Sequence, residues 1–161
     1  MELTQEQLDE RIAVLKRLRS LLEQQRAKFA EYLNVLEKQQ DKIELDDGDA
    51  LMAHAELEQQ IVASISNLQK VIEPVKAMYN SNNGQGLAEQ DKAGVKDIQN
   101  ELDALQKKVL LQNEHNRALL RVHLDKIRRQ LTEVQKANPY NGRRSIYAER
   151  YPVATTIAIE A

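Results

Sequence analysis

Apolar residues recur along the first stretch of the chain at alternating spacings of three and four: Leu8, Ile12, Leu15, Leu22, Phe29, Leu33, Leu36 and Ile43. This recurrence marks one face of a helix, and Val14, Leu18, Leu21 and Val35 widen the stripe. A stripe so wide suits packing against two neighbours better than the narrow seam of a dimeric coiled coil. Thr4-Gln5-Glu6-Gln7 has the form of a capping box, in which a hydroxyl and a Gln side chain satisfy two orphan amides reciprocally. The pattern predicts a helix over residues 5–45, about 60 Å long at ~1.5 Å per residue.

Asp46-Asp47-Gly48-Asp49 interrupts that pattern. Gly48 is expected to adopt the left-handed conformation that ends a helix, and Asp49 to cap the next one. The acidic run lacks the ligand spacing of an EF-hand loop, so it reads as a tight turn between helices. A second helix is predicted over residues 50–79, with Leu51, Leu57, Ile61, Ile65, Leu68, Ile72 and Val75 facing inward. Pro74 predicts a kink or an early stop, because proline removes a hydrogen bond and crowds the preceding turn. Residues 80–93 are polar and contain Gly84 and Gly86. They predict a flexible loop, long enough for the chain to fold back.

The third predicted helix spans residues 94–137. Its stripe runs through Val95, Ile98, Leu102, Leu105 and Val109, then Leu119, Leu120, Leu124, Ile127, Leu131 and Val134. Gln112, Asn113, Asn116 and His123 occupy positions where the stripe calls for apolar groups. An unpaired polar group in a core costs about 1–3 kcal/mol. Either these residues pair, or this half of the helix extends past its partners into water. Asn138-Pro139 ends the helix, since the residue before proline resists helical dihedrals.

The tail over residues 138–161 holds Tyr140, Tyr147 and Tyr151, and its Val153, Thr155, Ile157 and Ile159 alternate as a strand would. With no sheet to receive them, the tail is expected to be flexible, or ordered by a partner or by the chain's own helices. The fold expected is therefore all-α. It is an elongated antiparallel bundle of three long helices, a helical hairpin plus a long third helix, in one domain over residues 1–137 followed by the tail.

Composition narrows the function. Helix formers dominate, with 5 Gly, 3 Pro and 4% aromatic residues, too few turns and pleat-filling side chains for a sheet. Charged residues make up 30% of the chain, but the net charge is −2. The basic runs Lys16-Arg17, Lys107-Lys108, Arg128-Arg129 and Arg143-Arg144 are short and diluted by Glu, which argues against nucleic acid as a partner. The chain has no Cys and its beginning is acidic and polar, unlike a signal peptide. No apolar run approaches the roughly 20 residues that span a bilayer. A cytoplasmic protein without stable membrane insertion is expected.

No constellation for catalysis is present. His54 and Glu58 stand one helical turn apart, but two ligands on one helix do not make a zinc site. Gly84-Gln85-Gly86 lacks the preceding strand and following lysine of a phosphate loop. No catalytic residue, metal or cofactor is expected, and the protein reads as non-enzymatic.

Gln112-Asn113-Glu114-His115-Asn116-Arg117-Ala118-Leu119-Leu120, followed by Leu124 and Ile127, resembles the third-helix pattern of FlgN-type flagellar export chaperones. In that pattern two asparagines three apart precede a Leu pair, and a long helix continues into a C-terminal tail. The helix layout is similar too. The resemblance implies a chaperone that binds the terminal helices of hook–filament junction proteins, prevents their premature assembly and delivers them to the type III export gate. It implies cargo binding in the C-terminal part, with Asn113, Asn116, Leu119, Leu120, Leu124, Ile127, Leu131 and Ile146 as candidate contacts. Tyr140 or Tyr147 would meet the export gate. A cargo helix would lay its apolar face on the exposed half of the third helix, with the tail as a lid or a binding arm. The competing reading is a structural or adaptor coiled-coil protein that self-associates into a homo-oligomer. It calls for a narrow, sustained heptad seam, which Arg19, Arg26 and Gln40 interrupt.

Overall fold

The computed structural model describes residues 2–82 and 84–137. Its helices follow one another as α1 (Gln5–Glu44), α2 (Gly48–Ser81) and α3 (Glu89–Ala137), with no strand among the described residues. The capping box at Thr4 is formed. Gln7 N donates to Thr4 Oγ1 at 3.2 Å, and Thr4 N donates to the Gln7 side-chain oxygen at 3.1 Å.

The turn between α1 and α2 differs from the expectation by two residues. Asp46, not Gly48, takes the left-handed conformation, with φ 54°. Asp47 rather than Asp49 caps α2, its carboxylate accepting from Ala50 N at 3.1 Å. Aspartate is among the few side chains that tolerate this region, because its short polar group bonds locally. Gly48 thus becomes the first residue of α2. Nor does Pro74 stop α2, which continues to Ser81. The ring lies on the exposed face, as does Lys70, whose carbonyl loses its helical donor and is left on the solvent side. The loop to α3 is shorter than expected because α3 begins at Glu89, ahead of Gly94.

α1 is the centre of the structure. It packs closely along both α2 and α3, which approach each other at scarcely any point. One apolar cluster joins all three helices. It includes Leu15, Leu18, Leu22, Phe29 and Leu36 of α1, Ile61, Ile65 and Ile72 of α2, and Val95, Ile98, Leu102 and Val109 of α3. Burying each such side chain stabilises the fold by about 1.5–3 kcal/mol before conformational entropy is counted.

Cross-helix bonds fix the directions. Gln25 meets Ile65 and Gln69, and Tyr32 meets Glu58, so α2 runs antiparallel to α1. Arg26 meets Glu101, Asn116 meets Gln39 and His123 meets Asp46, so α3 runs in the same direction as α1. At the far end Arg11 donates to the Gln85 carbonyl at 2.6 Å and ties the α2–α3 loop to α1. Gly84 and Gly86 turn that loop with φ 66° and 84°.

Candidate partner-binding surface

Two features of α3 meet near its middle: a polar layer that ties it to α1, and the point where its neighbours end. The polar layer contains the residues that break the apolar stripe. Asn116, 1% exposed, donates through Nδ2 to the Leu36 carbonyl at 2.8 Å and to Gln39 Oε1 at 3.0 Å, and accepts from Gln112 at 3.0 Å. Gln112 also donates to Gln40 Oε1 at 2.7 Å. His123 pairs with Asp46 at the α1–α2 turn. Pairing therefore accounts for Gln112, Asn116 and His123.

A second buried polar group joins α1 to α2. Tyr32 donates to Glu58 Oε1 at 2.8 Å, and both residues are fully buried. Burial pushes the Glu58 carboxyl above its ordinary range, against the opposing effects of the Tyr32 bond, Gln39 and the Arg117 guanidinium. Burial and the adjacent Glu58 likewise push the Tyr32 phenol up and keep it protonated. Leu57, expected inside, is 41% exposed, and Glu58 takes the inward position. The reason is register: Glu58, Ile61, Ile65, Leu68, Ile72 and Val75 form one unbroken three–four series.

Beyond His123 the neighbours among the described residues stop. α1 ends at Glu44 while α3 continues to Ala137. His123 lies level with Asp46, so the residues after it run past the turn. Leu120 is the last buried residue of α3, and none from Arg121 to Ala137 is buried. Yet the apolar series persists through Leu124, Ile127, Leu131 and Val134, with Ile127 44% and Val134 58% exposed. At ~1.5 Å per residue this overhang is about 20 Å long.

The sequence-predicted contacts thus divide. Asn113 and Asn116 are buried, Asn116 against α1, and Leu120 closes the core. Leu119, Leu124 and Leu131 are half-buried and Ile127 is exposed, and the last three share the stripe of the overhang. Tyr140, Ile146 and Tyr147 lie outside the described residues, as does the expected tail. Among the described residues, no group of three or more His, Asp or Glu is placed to hold a metal, and no helix is long and apolar enough to cross a membrane. A cleft of about 620 Å³ lies at the opposite end, lined by Gln7, Glu10, Arg11, Tyr79 and Leu87 among others. Its one cation is already engaged by Gln85.

The family described as "FlgN protein" matches residues 4–147, nearly the whole chain. The chain belongs to the FlgN family. FlgN proteins are flagellar chaperones rather than enzymes, and membership implies binding to flagellar proteins. A protein of Treponema pallidum (strain Nichols), described only as uncharacterized, is 38% identical over 135 residues, which cover 82% of each chain. No solved structure matches this FlgN-family chain. The FlgN match includes all of α1, α2 and α3 and extends past the overhang.

Proposed function

We propose that this protein is a cytoplasmic flagellar type III export chaperone. It binds the terminal helices of hook–filament junction proteins, prevents their premature assembly and delivers them to the export gate. The observation that carries this reading is the overhang of α3, an apolar stripe on a helix with no neighbour among the described residues to cover it. A helix laid along Leu124, Ile127, Leu131 and Val134 would bury the stripe as one more helix of the bundle. The part-buried Gln112 bond and the buried Asn116 bond hold α3 to α1 and so present the stripe clear of the hairpin. Within this reading Tyr140, Ile146 and Tyr147 contribute to contacts with cargo or the export gate.

The test is binding of purified junction proteins to the full chain, by isothermal titration, beside the variant Ile127→Asp/Leu131→Asp. A one-to-one complex that the variant weakens by 100-fold or more is expected, because two apolar contacts are replaced by charges in a buried interface, a loss of about 3 kcal/mol or more. A complex that the variant leaves intact, or no complex at all, overturns the assignment of cargo to this face.

A further inference from the structure

The stripe of the overhang has one charged border. Arg121 and Arg128 stand three residues before Leu124 and Leu131 of the stripe, so both flank the same side of it, two helical turns apart. The opposite border carries His123 and Gln130, and His123 is taken by Asp46. Residues 121–137 hold Arg121, Lys126, Arg128, Arg129 and Lys136 against Asp125 and Glu133, in a chain whose net charge is −2. Arg121 and Arg128 are exposed, and among the described residues no carboxylate pairs with either.

From this border we infer that the overhang selects an amphipathic helix whose apolar face is edged on one side by Asp or Glu spaced seven residues apart, with Arg121 and Arg128 as the specificity-determining residues. The inference rests on the proposed function for its site and adds the chemistry of the partner. Charge distinguishes this occupant from the alternatives. A second copy of α3 would bring Arg121 and Arg128, or His123 and Gln130, against the basic border, and no carboxylate. The chain's own residues 138–161 carry Arg143, Arg144 and Arg150 against Glu149 and Glu160, so they offer no acidic edge either. Rim charges act mainly on partner choice and encounter rate, while the apolar stripe supplies affinity.

The test uses the full chain and three fluorescein-labelled synthetic helices with the same Leu stripe, bearing Glu, Gln or Lys at two border positions seven apart. Fluorescence anisotropy gives Kd at low and high salt. The Glu helix should bind about tenfold more tightly than the Lys helix, because two attractive exposed pairs take the place of two like-charge pairs. The gap should narrow at 0.5 M NaCl, where the Debye length falls to a few ångströms, ~4 Å. Arg121→Glu/Arg128→Glu should invert the preference. Equal binding of all three helices, abolished by Ile127→Asp/Leu131→Asp, overturns the charged border and leaves the docking face standing. Binding of none, or binding that ignores Ile127→Asp/Leu131→Asp, overturns both. Tighter binding by a synthetic peptide of residues 138–161 than by the Glu helix overturns the inference by naming the chain's own end as occupant. A dimer in sedimentation velocity that Ile127→Asp/Leu131→Asp dissolves, and that excludes the Glu helix, overturns it in favour of a second copy.

Discussion

Replacing Tyr32 with Phe removes one oxygen from the middle of the bundle and leaves the ring where it is. That oxygen donates to Glu58 at 2.8 Å, and neither residue is exposed to solvent. A hydrogen bond to an ionised group contributes about 1.5–3 kcal/mol, against about 0.5–1.5 for a neutral pair. The cost of Tyr32→Phe therefore depends on the protonation of Glu58. Burial, the largest influence, raises the Glu58 pKa in the folded state, while the Tyr32 bond, Gln39 and Arg117 oppose the rise. For a carboxyl raised on folding, the stabilising contribution is fully present below the unfolded value of about 4.3 and is lost as pH rises through the folded value. Tyr32→Phe removes one of the influences that hold the folded value down, so it deepens that loss.

The variant should cost about 0.5–1.5 kcal/mol where Glu58 is protonated and about 1.5–3 kcal/mol where it is ionised, so its cost should be larger at pH 8 than at pH 5. Urea unfolding at both pH values measures this, and each kcal/mol corresponds to about 2–4 °C in Tm for a chain of this size. In a Glu58→Gln background the cost should fall to about 1 kcal/mol and lose its pH dependence, since the acceptor is then neutral at every pH. Equal costs at pH 5 and pH 8, unchanged by Glu58→Gln, would refute the claim that a buried carboxylate depends on this phenol.

Asn116→Ala leaves Gln39 without its Asn116 partner and opens a small void at the α1–α3 interface, so it should cost about 2–4 kcal/mol, read as a lower urea midpoint. Gly86→Ala forces a side chain into a φ of 84° and should cost about 1–2 kcal/mol in the same measurement. Ile127→Asp/Leu131→Asp lies beyond the packed part of α3 and should change stability by no more than about 1 kcal/mol, with unaltered helical circular dichroism. A large loss there would mean that the overhang is packed within the chain.

The helices were legible because their apolar positions alternate by three and four over long stretches, and because Thr4 with Gln7 is a complete capping signal. The turn at residues 45–47 was less legible. Three aspartates and a glycine offered several ways to stop one helix and cap the next, and glycine's conformational freedom favoured the wrong position. Glu58 was hidden by residue type. Extending the series Val75, Ile72, Leu68, Ile65, Ile61 backwards by alternation reaches Glu58, but hydrophobicity points to its neighbour Leu57. Gln25, Tyr32 and Gln39 of α1, seven apart and all buried, are obscured in the same way. Their partners come from other helices, and a single sequence does not pair residues across helices. The overhang was half legible: the persistence of the stripe to Val134 was visible, but where its neighbours end required the register of α3 on α1.

That register is set by the polar layer. Away from residues 112–116 and His123, the apolar series of α3 continues from Val95 to Val134, so a shift of one heptad along α1 would still place Leu, Ile or Val against much of the core. Gln112, Asn116 and His123 do not tolerate the shift. In the observed alignment they meet Gln40, Gln39 with the Leu36 carbonyl, and Asp46. A slide would strand buried amides at about 1–3 kcal/mol each, a larger loss than the small differences among apolar contacts of similar size. The same slide, about 10 Å for seven residues, would shorten or lengthen the overhang by half its length. The residues that interrupt the stripe therefore bear on how much of it is left uncovered: under the proposed function, Asn116 and Gln112 would act on a partner without touching it, by holding α3 where it outruns α1.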